Sequence, residues 1–244
     1  MRSRGFLAAV VVAFWLLLTG GDNGRMPATP DPDEALFPIP EGERRVRRRV
    51  VLLTGPSGSG KSSLTRRLGL PVVALDDFYF DIDRPGLPSR FGSVDWDSPA
   101  SWDHDGARDA LVALCRDGVS DLPVYDIPTS RRTGTTRLLL GDEPIVIAEG
   151  IFAAELVADL RAEDVLADAI CLVRPRMQTF WFRLLRDLAE SRKPPSTLVR
   201  RGLALFRAEP ALIRGWVAKG CRAAGVAEAE RDIRALAATP TARR

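Results

Sequence analysis

Residues 55–62 read Gly-Pro-Ser-Gly-Ser-Gly-Lys-Ser, a glycine, four intervening residues and then Gly-Lys-Ser. This is a complete phosphate-loop pattern, and it restricts the fold more than any other segment. The pattern works only where a strand delivers the chain into the loop and a helix carries it away. Both neighbours fit. The apolar run Val50-Val51-Leu52-Leu53-Thr54 precedes it as a buried strand, and Ser63 to Leu68 follows as a helix stopped near Gly69. Gly55, Gly58 and Gly60 let the backbone turn tightly and approach a ligand with no Cβ in the way. The expected nucleotide-binding segment is Gly55, Pro56, Ser57, Gly58, Ser59, Gly60, Lys61, Ser62 and Ser63. In it Lys61 reaches the outer phosphates, the Ser62 hydroxyl can ligate Mg²⁺, and the helix start adds its positive dipole end. A mere Gly/Ser-rich turn would not need this flanking pattern.

The chain of 244 residues suits one α/β domain with additions, and a hydrophobic content of 45% supplies a sizeable core. A net charge of +3 gives no broad electrostatic footprint for nucleic acid. Cys115, Cys171 and Cys221 are widely spaced without a CxxC, which suits a reducing compartment and neither a metal nor a disulfide framework. His104 is the one histidine, which removes His-based triads and zinc clusters from consideration and reads as an exposed helix-start residue.

The first 25 residues pull the other way. Arg2 and Arg4 precede the apolar run from Phe6 to Leu18, which resembles the basic and apolar regions of an export signal. The run is short for a membrane span, which takes about 20 apolar residues. Export signal, membrane anchor and an upstream extension before a start at Met26 all fit. A nucleotide-dependent protein belongs with its nucleotide in the cytoplasm, which favours the last, with anchoring through residues 6–18 as the alternative. Residues 26–49 form a Pro- and acid-rich lead-in ending in an Arg-rich cluster, which reads as a solvated strand entrance.

A second buried strand, Val72 to Leu75, ends in Asp76-Asp77. In open α/β sheets ligands sit beyond the carboxyl ends of the strands, so Asp76 falls near the phosphate loop. A carboxylate there can accept a proton from an attacking hydroxyl or orient Mg²⁺ through water, or simply close an acidic turn. Phe78-Tyr79-Phe80 follows, either an aromatic pocket wall or a local core. Glu149 ends the apolar run Ile145 to Ala148 and can hold a metal-bound water there, or favour a helix start by its charge. Arg183 and Arg186 lie three apart on one face of a helical pattern, where they are solvated or neutralise charge on a transferred phosphoryl group.

These segments share an order with a known family. Leu75-Asp76-Asp77-Phe78-Tyr79, Val94 to Asp103, Pro123-Val124-Tyr125-Asp126, Ile145 to Ile151 and Arg183 to Asp187 together resemble the uridine kinase branch of the P-loop kinases, from about Val50 to about Lys193. The resemblance implies ATP as phosphate donor with Mg²⁺, and a nucleoside-like acceptor phosphorylated on a hydroxyl. It implies Asp76 as general base, with Lys61 and Arg186 as further catalytic residues. It implies acceptor contacts from Tyr79, Trp96, Asp97, Tyr125 and Arg183, Ser62 and Glu149 at the metal, and phosphate contacts from Arg186 and Lys193 when a lid closes.

One departure concerns the acceptor. Uridine kinases usually carry a base-contacting histidine where this chain has Ser130, and Arg131 or Arg132 could replace its hydrogen bond, with a different reach. The lid is stiffened by Pro194-Pro195, and residues 196–244 show helical patterns without family likeness, expected to pack on the lid side.

Other classes fit less well. A guanine-nucleotide switch needs an Asn/Thr-Lys-x-Asp motif, and Asn23 is the only asparagine. A non-catalytic nucleotide binder would not need Lys61, Ser62, Asp76 and Glu149 together. Trp96-Asp97 and Trp102-Asp103 lie too close for repeats with a period of about 40 residues. The expected architecture is a three-layer α/β P-loop kinase fold spanning residues 50–244. Its core strands are Val50–Thr54, Val72–Leu75, Ile145–Ala148 and Ala169–Leu172, with a small β excursion near residues 118–140, a lid near 174–195 and a helical tail.

Overall fold

The computed structural model describes residues 48–90, 92–175, 177 and 195–238. The central element is β1 (Arg49–Thr54), whose residues from Val50 onward are buried. It pairs in parallel with β7 (Ile145–Glu149) on one side and β8 (Leu166–Leu172) on the other. β2 (Val72–Ala74) extends the sheet beyond β7, and β9 (Arg222–Ala224) extends it beyond β8. The order is β2-β7-β1-β8-β9, and every pairing is parallel.

A parallel sheet needs both faces covered, which is why its strands read as apolar runs without polar alternation. Successive residues of β1 point to opposite faces. Val50 and Leu52 pack in a cluster with Leu111 and Leu114 of α2 (His104–Asp117) and Val157 and Leu160 of α3 (Val157–Ala162). Trp216 of α4 (Pro195–Ala218) joins that cluster. Val51 and Leu53 pack instead with Leu64 and Leu68 of α1 (Lys61–Leu68) and Ala229 and Ile233 of α5 (Val226–Ala238). The result is three layers, as expected from the sequence.

Helix boundaries follow local chemistry. Asp103 caps α2, accepting from Gly106 N at 3.1 Å, and Gly118 ends it in the left-handed region at φ 76°. The excursion is an antiparallel hairpin of β5 (Val119–Asp126) and β6 (Arg131–Leu139). A second, minimal pair, β3 (Ser89–Arg90) and β4 (Ser93–Val94), lies in the preceding loop. Cys115, Cys171 and Cys221 are buried free thiols, and burial pushes them up to about 12, 11 and 12 respectively.

The C-terminal tail adds to the sheet and to one of its layers: β9 extends the sheet beyond β8, and α5 lies against α1. Arg67 Nε donates to Glu230 Oε2 at 3.0 Å, and Arg234 Nη2 donates to Arg67 O at 2.9 Å. Arg222 binds Asp168 of β8 at 2.7 Å and Asp232 of α5 at 2.8 Å, tying strand and helix to the sheet. The tail's periodicity gave its helices but could not say which layer they join. Among the described residues no helix is long and apolar enough to cross a membrane. Residues 6–18, and the Arg183, Arg186 and Lys193 assignments, lie outside the described residues.

Candidate active site

The phosphate loop leaves β1 at Thr54. Gly55 has φ 143°, and a Cβ there would sit 2.5 Å from the carbonyl oxygen of Leu172, so the loop lies directly on the end of β8. Gly58 and Gly60 also have positive φ, 86° and 98°. Gly60 caps α1 with no side-chain hydrogen bond, which leaves the first amides of the helix available to an anion. Lys61 Nζ folds back over the loop and donates to Gly55 O at 2.9 Å.

The sheet then collects the acids. Glu149 ends β7, and Ser62 Oγ donates to its Oε1 at 3.1 Å. Asp76 lies in the 3₁₀ turn Leu75–Phe78 that follows β2. The two strands are neighbours, with Ala74 paired to Glu149. Gly150 allows their ends to meet. A Cβ on it would come within 2.7 Å of Leu75 Cβ and 3.3 Å of Asp76 Oδ1. Burial raises the Asp76 carboxyl above its ordinary range; the Lys61 charge opposes this, Glu149 and Asp77 add to it, and a hydrogen bond from the Ile151 amide opposes it. Ser62 and Glu149 offer a hydroxyl and a carboxylate beside the phosphate loop. Among the described residues no group of three or more His, Cys, Asp or Glu could hold a metal alone. That suits Mg²⁺, which takes one or two protein oxygens and completes its shell with water and phosphate.

An aromatic compartment adjoins Asp76. The Tyr79 ring meets Trp96 edge-on at 5.5 Å, Tyr125 at 5.8 Å and Phe152 at 5.8 Å. Tyr79 Oη donates to Trp96 O at 3.0 Å. Burial raises the Tyr79 phenol, and the nearby Asp76 and Asp97 charges raise it further, so it stays a neutral donor. Asp97 is exposed on the segment joining Trp96 to α2. Trp102, largely buried, donates through Nε1 to Leu75 O at 2.7 Å and fixes the turn that carries Asp76.

Lys61, Ser62, Asp76 and Glu149 thus share the carboxyl edge of the sheet, and Tyr79, Trp96, Asp97 and Tyr125 gather beside it. Several contributors were missed in the sequence. Asp77 accepts from Tyr125 N at 3.4 Å and joins the hairpin to the Asp76 turn, while burial raises its carboxyl. Phe152 packs on both Tyr79 and Trp102. The signal for Phe152 was its place just after Glu-Gly-Ile; Asp77 had none beyond adjacency.

Arg131 and Arg132, the residues that could replace a base-contacting group, are both engaged with protein partners. Arg131 pairs with Asp83 at 2.9 Å. Arg132 donates to Tyr79 O and Phe78 O, both at 3.0 Å, and to Asp103 Oδ2 at 2.9 Å. Its guanidinium pins the hairpin to the aromatic segment. Ser130 occupies the hairpin turn at φ 52° and accepts from Ile82 N at 3.0 Å through its carbonyl.

A phosphate loop on a parallel sheet, two acids at the same edge and a cluster of aromatic side chains beside them define a P-loop kinase. Comparison with known proteins narrows the class. No protein-family model matches the chain. A uridine kinase of Deinococcus deserti is 31% identical over 171 residues, covering 66% of this chain and 79% of that protein. A uridine kinase of Schizosaccharomyces pombe is 33% identical over 153 residues, 57% of this chain but 32% of that protein. A solved structure assigned as a fructose transport system kinase from Silicibacter sp. TM1040 is 25% identical, covers 71% of this chain and 88% of its own, and has a TM-score of 0.48. The chain belongs to the uridine kinase-like P-loop kinases.

Proposed function

We propose that this kinase transfers the γ-phosphate of ATP to a hydroxyl of a small, uncharged, nucleoside-like acceptor, with uridine and cytidine the first candidates. The observation that carries the reading is the junction of Asp76 with the aromatic cluster: a carboxylate of raised proton affinity stands between the phosphate loop and a group of flat side chains.

In this mechanism the loop amides and Lys61 hold the donor's outer phosphates. Ser62 and Glu149 would hold Mg²⁺, which would supply neutralisation of phosphate charge. The acceptor lies against Tyr79, Trp96 and Tyr125, with Asp97 on its sugar hydroxyls. Asp76 accepts the proton of the attacking hydroxyl, whose oxygen forms the new P–O bond as the bond to the leaving diphosphate breaks. Its raised proton affinity makes it a stronger base than a free aspartate, and the Lys61 charge opposes that rise by favouring the ionised form. Arg183 and Arg186 complete the phosphate and acceptor contacts in this reading.

The acceptor's charge follows from the surroundings. Asp76, Asp77, Asp97 and Glu149 border the compartment, and the hairpin arginines are spent on protein partners. Among the described residues these acids would repel a carboxylate or phosphate acceptor. Because Ser130 is committed to the hairpin turn and supplies no imidazole, a sugar-like alcohol is the second reading. Such a reaction belongs in the cytoplasm, where ATP is supplied.

The test is ADP release from the purified chain with MgATP and a panel of uridine, cytidine, ribose-like sugars and pantothenate. Release that depends on a neutral acceptor supports the proposal. ATP hydrolysis indifferent to every acceptor, or a preference for the anionic one, overturns it.

A further inference from the structure

We infer that Arg174 is a phosphate-binding residue of this kinase, acting on the donor nucleotide from the flank opposite the acceptor. The inference rests on the donor site proposed above.

The position of Arg174 follows from β8. That strand runs beside β1 and ends at the same carboxyl edge, at Leu172. Val173 is still held to the sheet, its amide donating to Ala224 O at 2.9 Å. Arg174 is the next residue, and its side chain turns back over the phosphate loop. A Cβ on Gly60 would lie 2.7 Å from Arg174 Nη2, 3.1 Å from Cζ and 3.2 Å from Nε. The guanidinium therefore occupies the space that a side chain at Gly60 would fill. It is laid on the last glycine before Lys61, at the start of α1.

That placement brings it within reach of a bound phosphate. An oxygen accepting from the Gly60 amide at an ordinary length of about 2.9 Å stands within about 8 Å of Nη2 in any direction. Rotation within one arginine side chain closes such a gap. The guanidinium offers a fork of donors that fits two phosphate oxygens at once.

The strand order gives the contact its side. β7 and β2, which carry Glu149 and lead to Asp76, lie on one side of β1, and β8 lies on the other. Arg174 therefore faces the donor away from the hydroxyl that Asp76 serves. It should govern donor affinity and leave acceptor affinity alone.

The experiment is calorimetric titration of the full chain with ATP and, separately, with inorganic tripolyphosphate, which has phosphates but no base. Arg174→Ala, and Arg174→Gln, which keeps bulk over Gly60 without charge, should each bind both ligands about tenfold more weakly or worse. Arg174→Lys, which keeps the charge but not the fork, should recover part of that loss for both, and the acceptor KM should stay unchanged in all three. Binding of both ligands at wild-type strength by the neutral variants overturns the inference. So does a loss confined to ATP with tripolyphosphate unaffected, since that marks a contact to the base. A wild-type chain that binds neither ligand overturns the donor-site reading itself, and this inference with it.

Discussion

Replacing Arg132 with alanine tests whether the hairpin is held over the acceptor compartment by one side chain. The guanidinium donates to Tyr79 O, Phe78 O and Asp103 Oδ2 at 2.9 to 3.0 Å. A hydrogen bond from a charged donor contributes about 1.5–3 kcal/mol net. The ion pair itself contributes less than about 1 kcal/mol, because Arg132 is 31% and Asp103 25% exposed. With water replacing part of what is lost at the carbonyls, Arg132→Ala should cost about 2–4 kcal/mol in urea denaturation, equivalent to a fall in Tm of roughly 5–15 °C for a chain of this size. Kinetics should separate it from a general loss of stability. At a temperature where the variant is folded, the acceptor KM should rise with the KM for ATP unchanged, because the partners of Arg132 lie in the aromatic segment and at the cap of α2, not in the phosphate loop. Arg132→Lys should rescue little, since one ammonium does not span both carbonyls and Asp103. A destabilisation below about 0.5 kcal/mol, the scale of an ordinary surface substitution, with an unchanged acceptor KM, would refute the reasoning.

The acids and the loop give further expectations. Asp76→Asn should lower transfer by about 10²- to 10⁴-fold, the usual contribution of a general base, while ATP affinity by calorimetry stays near wild type; undiminished transfer sinks the base assignment. Because Asp76 is raised in the folded chain, kcat/KM should fall on acidification at a pH above the ordinary aspartate range, and the contribution of this group to stability should be present at low pH and lost as pH rises through its folded pKa. Thermal melts of the ligand-free chain at neutral pH should accordingly show Asp76→Asn more stable than wild type, and a less stable variant contradicts the burial argument. Glu149→Gln should raise the Mg²⁺ concentration for half-maximal turnover by about 10- to 100-fold, and an unaltered Mg²⁺ titration removes Glu149 from the metal site. Gly55→Ala sets a Cβ 2.5 Å from a strand carbonyl at φ 143°, and should cost at least about 1–3 kcal/mol of stability together with ATP binding; retention of both would show that the loop can lift off β8.

Much of the donor half was legible because its information is local. The residues of the phosphate loop, the strand before it and the helix after it are contiguous. Asp76 and Glu149 were found because each ends an apolar run, and strand ends gather at one edge of a parallel sheet. The proposed acceptor half is built from contacts across sequence distance. Asp77 reaches Tyr125, Arg132 reaches Phe78 and Asp103, and Phe152 packs against Tyr79 and Trp102. An arginine beside a hairpin turn carries no mark that separates a ligand contact from a carbonyl clamp.

The sequence alone therefore determined the layer class, the core strands and the residues that could meet phosphate, since glycine placement and apolar runs act through the local backbone. Only the tertiary structure decided three other things: that the tail extends the sheet beyond β8, that the hairpin arginines serve the scaffold, and that Arg174 lies on Gly60. Each depends on which surfaces meet when buried apolar area and hydrogen-bond satisfaction are settled for the whole chain at once, and no short window of residues holds that information.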